Sequence, residues 1–228
     1  MISQKYNCIF IHIPKTAGQS IERYFLGLHG LSWSTREELL LRKNLNPGMG
    51  PERLAHLTAS EYVKFGYISP QDYSSYYKFS FVRNPWARLV SEYAYRLHQS
   101  RFSFKDYVTN FLPERNPYTD AYRHIMPQYH YLHDENGERI VDYVGRFENL
   151  EADFGVVCRH LGMAHLQLPH SNKSTVGGRL SKLAALFSSR NKAKHYSEYY
   201  DAELREIVAD MYKLDISTFG YSFCSGSS

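Results

Sequence analysis

The chain has 228 residues, 43% of them hydrophobic and 22% charged, with a formal net charge of +4. That length suits one sizeable core, read here as a single α/β domain over residues 1–228. No run of 18 or more apolar residues marks a membrane span, and the opening MISQKYNCIFIHIPK has neither a charged leader nor a cleavage site. Three cysteines, Cys8, Cys158 and Cys224, lie far apart with no CxxC pair and no Cys/His ligand spacing, so a cytoplasmic, reducing setting and no bound metal are expected.

In chain order, NCIFIHI (7–13) is a short apolar run stopped by Pro14, the pattern of a buried parallel strand. GQSIERYFLGLHG comes next with Ile21, Tyr24, Phe25 and Leu28 at helical spacing, giving strand, turn and helix. Thr58 and Glu61 spell a capping box that starts a short helix just past His56. YKFSFV (77–82) reads as a second strand, and the helix leaving it has Asn84 as N-cap and Pro85 at its first position. Asn136-Gly137 between two β-prone runs predicts a hairpin. A third strand is expected near 141–147, then an Asn149-capped helix to about Leu161. A last helix behind Asp201 carries Leu204, Ile207, Val208 and Met211 as one apolar stripe.

Residues 48–51 and 174–178 read as mobile loops and 225–228 as a disordered end; no internal repeat is visible. Strands alternating with helices predict an open parallel sheet with right-handed crossovers. Ligands of such sheets bind at the carboxyl ends of the strands.

Charge is unevenly spread. From Phe154 to Ser197 there is no acid but seven of the 27 basic residues, which leaves 20 against 23 acids elsewhere. Such a stretch is either a surface for anions or a solvated basic face. The aromatic share of 15%, with 20 tyrosines, serves sugar stacking or core packing alike.

PKTAGQS (14–20) sits where the first strand hands over to a helix, so the free N–H groups of the first helical turn converge on one spot. Lys15 adds a charge, Thr16 and Ser20 add hydroxyls, and Gly18 permits close backbone approach. An anion site and an ordinary strand-helix turn both remain open. A nucleotide-triphosphate loop would read GxxxxGK[ST]; here lysine precedes the single glycine, so the hydroxyl that would hold magnesium is missing from its place. In FSFVRNPWARLVSEY, Arg83 ends a strand and Ser91 lies on the departing helix, a fork and a hydroxyl suited to one phosphate.

FIHIPKTAGQS and FVRNPWARLVSEY together closely resemble the two cofactor signatures of the carbohydrate-type sulfotransferases, which use 3′-phosphoadenosine 5′-phosphosulfate (PAPS). The resemblance continues through AHLTASEYVKFG, MPQYHYL, VDYVGRFENLEADF and DISTFGY, nearly the whole chain in order. It implies an α/β fold with a P-loop-like open central parallel sheet flanked by helices in three α/β/α layers, that Lys15, Thr16, Ala17, Gly18, Gln19 and Ser20 bind the 5′-phosphosulfate, that Arg83 and Ser91 bind the 3′-phosphate, and that no metal takes part. It places a catalytic histidine at His56, eight residues before Lys64, as the base for an acceptor hydroxyl; Lys15 would hold the bridging oxygen of the donor. Some members carry a second histidine two positions earlier, where this chain has Leu54. By the same resemblance, Lys173, Ser174 and Thr175 lie in a loop that closes over the nucleotide.

His12 reads as a hydrogen-bonded core or rim residue, while His124 and His130 either border the acceptor site or are structural. The acceptor is expected to be a hydroxyl, of a saccharide or small molecule, and no nucleic-acid partner is expected. Two other classes stay in view: a magnesium-dependent nucleotide kinase with a degenerate loop, and a non-catalytic module that binds anionic glycans or nucleic acid through the basic stretch.

Overall fold

The computed structural model describes residues 1–163 and 194–224. Lys173, Ser174, Thr175, the 174–178 loop, most of the basic stretch and residues 225–228 lie outside the described residues. Among the described residues four strands form one sheet: β1 (Ile2–Ser3), β2 (Cys8–Ile11), β3 (Tyr77–Val82) and β4 (Tyr143–Arg146), in the order β1-β2-β3-β4. β2, β3 and β4 are parallel, with Phe10 opposite Phe79 and Val82 opposite Arg146. The short β1 is antiparallel to β2, so the sheet is mixed at one edge, a departure from the all-parallel expectation.

Alternation along the strands builds the three layers. Cys8, Phe10, Phe79 and Phe81 pack with Ile21 and Phe25 of α1 (Gly18–Leu28) and with Phe154 and Val157 of α8 (Leu150–His160). Ile9, Ile11 and Val82 face the other way. They meet Tyr62 of α2 (Glu61–Lys64), Tyr131 and Leu132 of α7 (Tyr129–Leu132), and Phe219 of α10 (Lys213–Phe219). Each fully buried phenylalanine in these layers contributes about 1.5–3 kcal/mol.

A third cluster joins α4 (Pro85–Tyr95), α5 (Phe104–Asn110) and α9 (Ala202–Met211) through Trp86, Tyr93, Tyr107, Leu204 and Val208. Among the described residues the remaining α-helices are α3 (Pro70–Ser75) and α6 (Asp120–Ile125). Among the described residues no helix is long and apolar enough to cross a membrane.

Local expectations fare unevenly. Asn84 accepts from the Ala87 N–H at 3.3 Å with Pro85 at N1, and Asp201 accepts from Leu204 at 2.8 Å, both as expected. Only half of the capping box forms: the Glu61 carboxylate takes the Thr58 N–H at 2.8 Å, but Thr58 Oγ1 turns to Ser60. Asn149 does not cap α8; its amide donates to Asp153 instead.

The hairpin shrinks to a single bridge between His133 and Arg139 around the Gly137 turn, because YHYL is helical. Asp215 of α10 accepts from Gln128 N (2.9 Å) and Tyr129 N (2.8 Å), capping α7 from a distance of 86 residues. The 48–51 loop is tied down: Asn46 accepts from Gly48 N, and the Asn44 amide donates to Gly50 O. All three cysteines are free, Cys8 and Cys158 buried and Cys224 exposed.

Candidate active site

Because β2 and β3 are adjacent and parallel, the turns that leave them emerge at the same edge of the sheet. Lys15 comes just after β2 and Arg83 directly after β3, and Arg83 Nη1 donates to the Lys15 carbonyl at 3.2 Å. The two motifs therefore form one corner. Its geometry also depends on Arg88, 1% exposed, whose Nε donates to Pro14 O (3.0 Å) while Nη1 and Nη2 donate to Met126 O and His124 O. A buried guanidinium spending its donors on three backbone carbonyls fixes the turn against α4 and α6.

The turn itself is strained. Lys15 and Ala17 both have left-handed backbone (φ 71° and 72°), costing roughly 1–2 kcal/mol each for residues other than glycine. Ala17 offers no side-chain cap to α1, and the first turn of that helix has no acidic residue, so its leading N–H groups stay available. Thr16 is buried and donates its hydroxyl to Ile13 O at 2.8 Å, which tightens the turn and leaves only its oxygen lone pairs for other use.

Gly18 is needed for a reason other than the expected approach of an anion. A Cβ there would sit 1.9 Å from His12 ring atoms, and that ring is held by Glu22 at 2.6 Å and stacked on Phe10. Gly18→Ala is thus expected to destabilise the fold by about 1–3 kcal/mol through overpacking, despite the better helix propensity of alanine. Urea unfolding measures it; an unchanged or higher midpoint would refute the contact.

Arg83 is well supported. Its backbone N–H donates to Gln128 Oε1 and its carbonyl accepts from Gln128 Nε2, both at 2.8 Å, and Asp215 steadies Gln128 in turn. The guanidinium lies 4.1 Å over the Phe147 ring, and burial lowers its pKa to about 10 against the opposing pull of Glu148. Nε of Arg83 is buried with no hydrogen-bond partner among the described residues. MPQYHYL, GRFENLEADF and DISTFGY thus all contribute to this corner.

Ser91 lies on α4 between Arg88 and Tyr95, at positions i−3 and i+4, which both touch the lysine turn. Lys15 Nζ lies 3.8 Å above the Tyr95 ring, and among the described residues no carboxylate pairs with it.

The turn borders a cavity of about 300 Å³, lined by Lys15, Gly18, Gln19, His56, Tyr95 and His124 among others. Trp33 and four cations, Arg36, Arg42, Lys43 and Arg53, form part of its wall. Arg83 and Ser91 do not line it. A larger groove of about 1100 Å³ lies at the β1 edge near Lys5, His29 and Tyr76, towards the amino ends of β2 and β3, and holds none of the expected site residues.

His56 ends a single 3₁₀ turn (Leu54–His56) and is 6% exposed. Its ring meets His12 at 4.7 Å and His124 at 5.2 Å between centroids. Burial, followed by the charges His12 and His124 would carry, drives its pKa well below 6.5. His12 is buried, hydrogen-bonded to Glu22 and on the wall of this cavity, as a core or rim residue should be, and His124 lines the cavity too. His130 is not part of this cavity wall. Sequence reading missed Arg88, Glu92, Tyr95 and Asp120; the only trace of Asp120 is its i, i+4 spacing with His124 on α6.

The model of a sulfotransferase family matches residues 1–222. The chain belongs to the sulfotransferase family. Among curated relatives, carbohydrate sulfotransferase 11 of Rattus norvegicus is 24% identical over 97% of this chain and 66% of its own length. The Danio rerio protein of the same name is 25% identical over 99% of this chain and 67% of its own. An uncharacterized protein of Archaeoglobus fulgidus is 33% identical over 40% of this chain and 72% of its own length. The chain thus spans about two thirds of the length of the named relatives. No solved structure gives a significant match.

Proposed function

We propose that this sulfotransferase-family chain moves a sulfuryl group from PAPS to a hydroxyl of a carbohydrate. The observation that carries the reading is the Arg83 guanidinium hydrogen-bonded to the Lys15 turn, with Nε buried and unsatisfied. One anionic ligand with two charged ends fits this corner: Arg83 and Ser91 for a phosphate, Lys15 and the N–H groups at the start of α1 for a phosphosulfate.

The donor supplies an activated sulfuryl group on a good leaving group. The chain supplies charge and a base. Lys15 is placed to offset negative charge on the departing oxygen. Nδ1 of His56 lies 3.3 Å from the His12 carbonyl, which fixes the ring proton there and leaves Nε2 to take the acceptor proton. The acceptor is assigned as a saccharide because the named relatives are carbohydrate sulfotransferases, and the tryptophan and cations around the cavity suit a sugar, especially an acidic one.

Calorimetric titration with adenosine 3′,5′-bisphosphate is the direct test. Saturable binding in EDTA, lost in Arg83→Ala and not reproduced by ATP, is expected. Equal or tighter ATP binding that needs magnesium would replace this reading with a kinase.

A further inference from the structure

Where His56 and His124 line the cavity, three lone-pair-bearing atoms from two parts of the chain come together, the third from Asp120. Nδ1 of His56 is committed to a carbonyl, which can only accept, so its Nε2 is unprotonated in the neutral ring. Nδ1 of His124 lies 2.6 Å from Glu92 Oε2. A carboxylate oxygen accepts, so His124 likewise keeps its proton on Nδ1. Each Nε2 then lies 3.6 Å from the same atom, Asp120 Oδ1.

That oxygen is buried with no hydrogen-bond partner among the described residues. Asp120 Oδ2 is the atom that faces Arg96 (3.2 Å) and Arg53 (3.4 Å). The three atoms all lie within 4.8 Å of one another.

A proton shared by an imidazole and a carboxylate would draw nitrogen and oxygen to about 2.7–2.9 Å, shorter than the 3.6 Å found on both edges. Bonds of about 2.0–2.2 Å in a tetrahedral site put neighbouring ligand atoms about 3.4 Å apart, close to the 3.6 Å of the two nitrogen–oxygen edges. We propose that His56 Nε2, His124 Nε2 and Asp120 Oδ1 form a site for one divalent transition-metal ion, with zinc the closest match.

Two imidazoles and one carboxylate are a borderline-soft donor set suited to zinc or cobalt rather than magnesium or calcium. Asp120 and His124 share one face of α6 at i and i+4, while His56 comes from the 3₁₀ turn opposite. Both imidazoles already have the outer partner that metal-bound histidines need, a backbone carbonyl for one and a carboxylate for the other. The neighbouring cavity leaves room for water in the fourth position. Arg96 and Arg53 temper the affinity and make the ion releasable.

Resting on the base role of His56, the consequence is inhibition: a bound ion takes the lone pair that transfer needs. The test titrates the full chain, stripped with EDTA, with Zn²⁺ by calorimetry and with Co²⁺ by visible absorption. One equivalent should bind, with tetrahedral cobalt bands. Affinity should fall at least about 100-fold in Asp120→Asn and about 10–100-fold in Glu92→Gln. Binding of adenosine 3′,5′-bisphosphate serves as the check that each variant is folded.

No saturable binding by the wild-type chain overturns the site. So does unchanged metal affinity in a folded Asp120→Asn. If zinc binds but transfer continues undiminished, the site stands and the inhibitory consequence falls together with the base role of His56.

Discussion

Lys15→Ala is expected to abolish sulfuryl transfer, a loss of about 10²–10³-fold or more in kcat. The ammonium is held in place by a left-handed turn and an aromatic face, and nothing else in that turn carries a charge that could substitute for it. Burial lowers its pKa to about 8, with Glu92 opposing and Arg83, Arg96 and Arg88 pushing further down. The charged form is the useful one, so kcat/KM should fall as pH rises through about 8 in the free protein. Lys15→Arg should move that alkaline limb upward, since guanidinium stays charged. Initial rates with labelled donor across pH measure both effects; retention of most activity in Lys15→Ala would remove the lysine from the mechanism.

His56→Ala should cost about 10²–10⁴-fold in turnover while leaving adenosine 3′,5′-bisphosphate affinity unchanged, because the ring lines a cavity that Arg83 does not. The wild-type ring, facing His12, His124, Asp120 and Arg53, titrates well below 6.5, so it is neutral and able to accept a proton at pH 7. Activity should therefore decline only as pH falls well under 6.5, and the variant should lack that acid limb. Equal losses in turnover and bisphosphate affinity would instead make His56 a structural residue.

The lysine turn and the Arg83 corner are legible because each is written in consecutive residues, at a strand end that hydrophobic runs and Pro14 or Pro85 announce. Their meeting depends on the adjacency of β2 and β3, which the repeated strand-turn-helix unit suggests without fixing the order.

The features that sequence does not disclose are those that long-range contacts decide. YHYL looks β-prone, yet Asp215 caps it into a helix from 86 residues away. Gly18 reads as a concession to a ligand, while the atom it makes room for is in His12. The group of His56, Asp120, His124 and Glu92 draws on three segments, and only the Asp120–His124 pair leaves a mark in local spacing. In sequence Arg88 is one more helical arginine; its three carbonyl partners exist only in the folded chain.

The resting place of Lys15 on the Tyr95 ring has a kinetic consequence. Cation–π contacts are worth about 0.5–2 kcal/mol, so an arriving dianion has no tight counter-ion to evict before it can engage the ammonium. The same weak hold gives the side chain somewhere to return to once a ligand departs; on the proposed reading, this favours quick release of the nucleotide over tight retention.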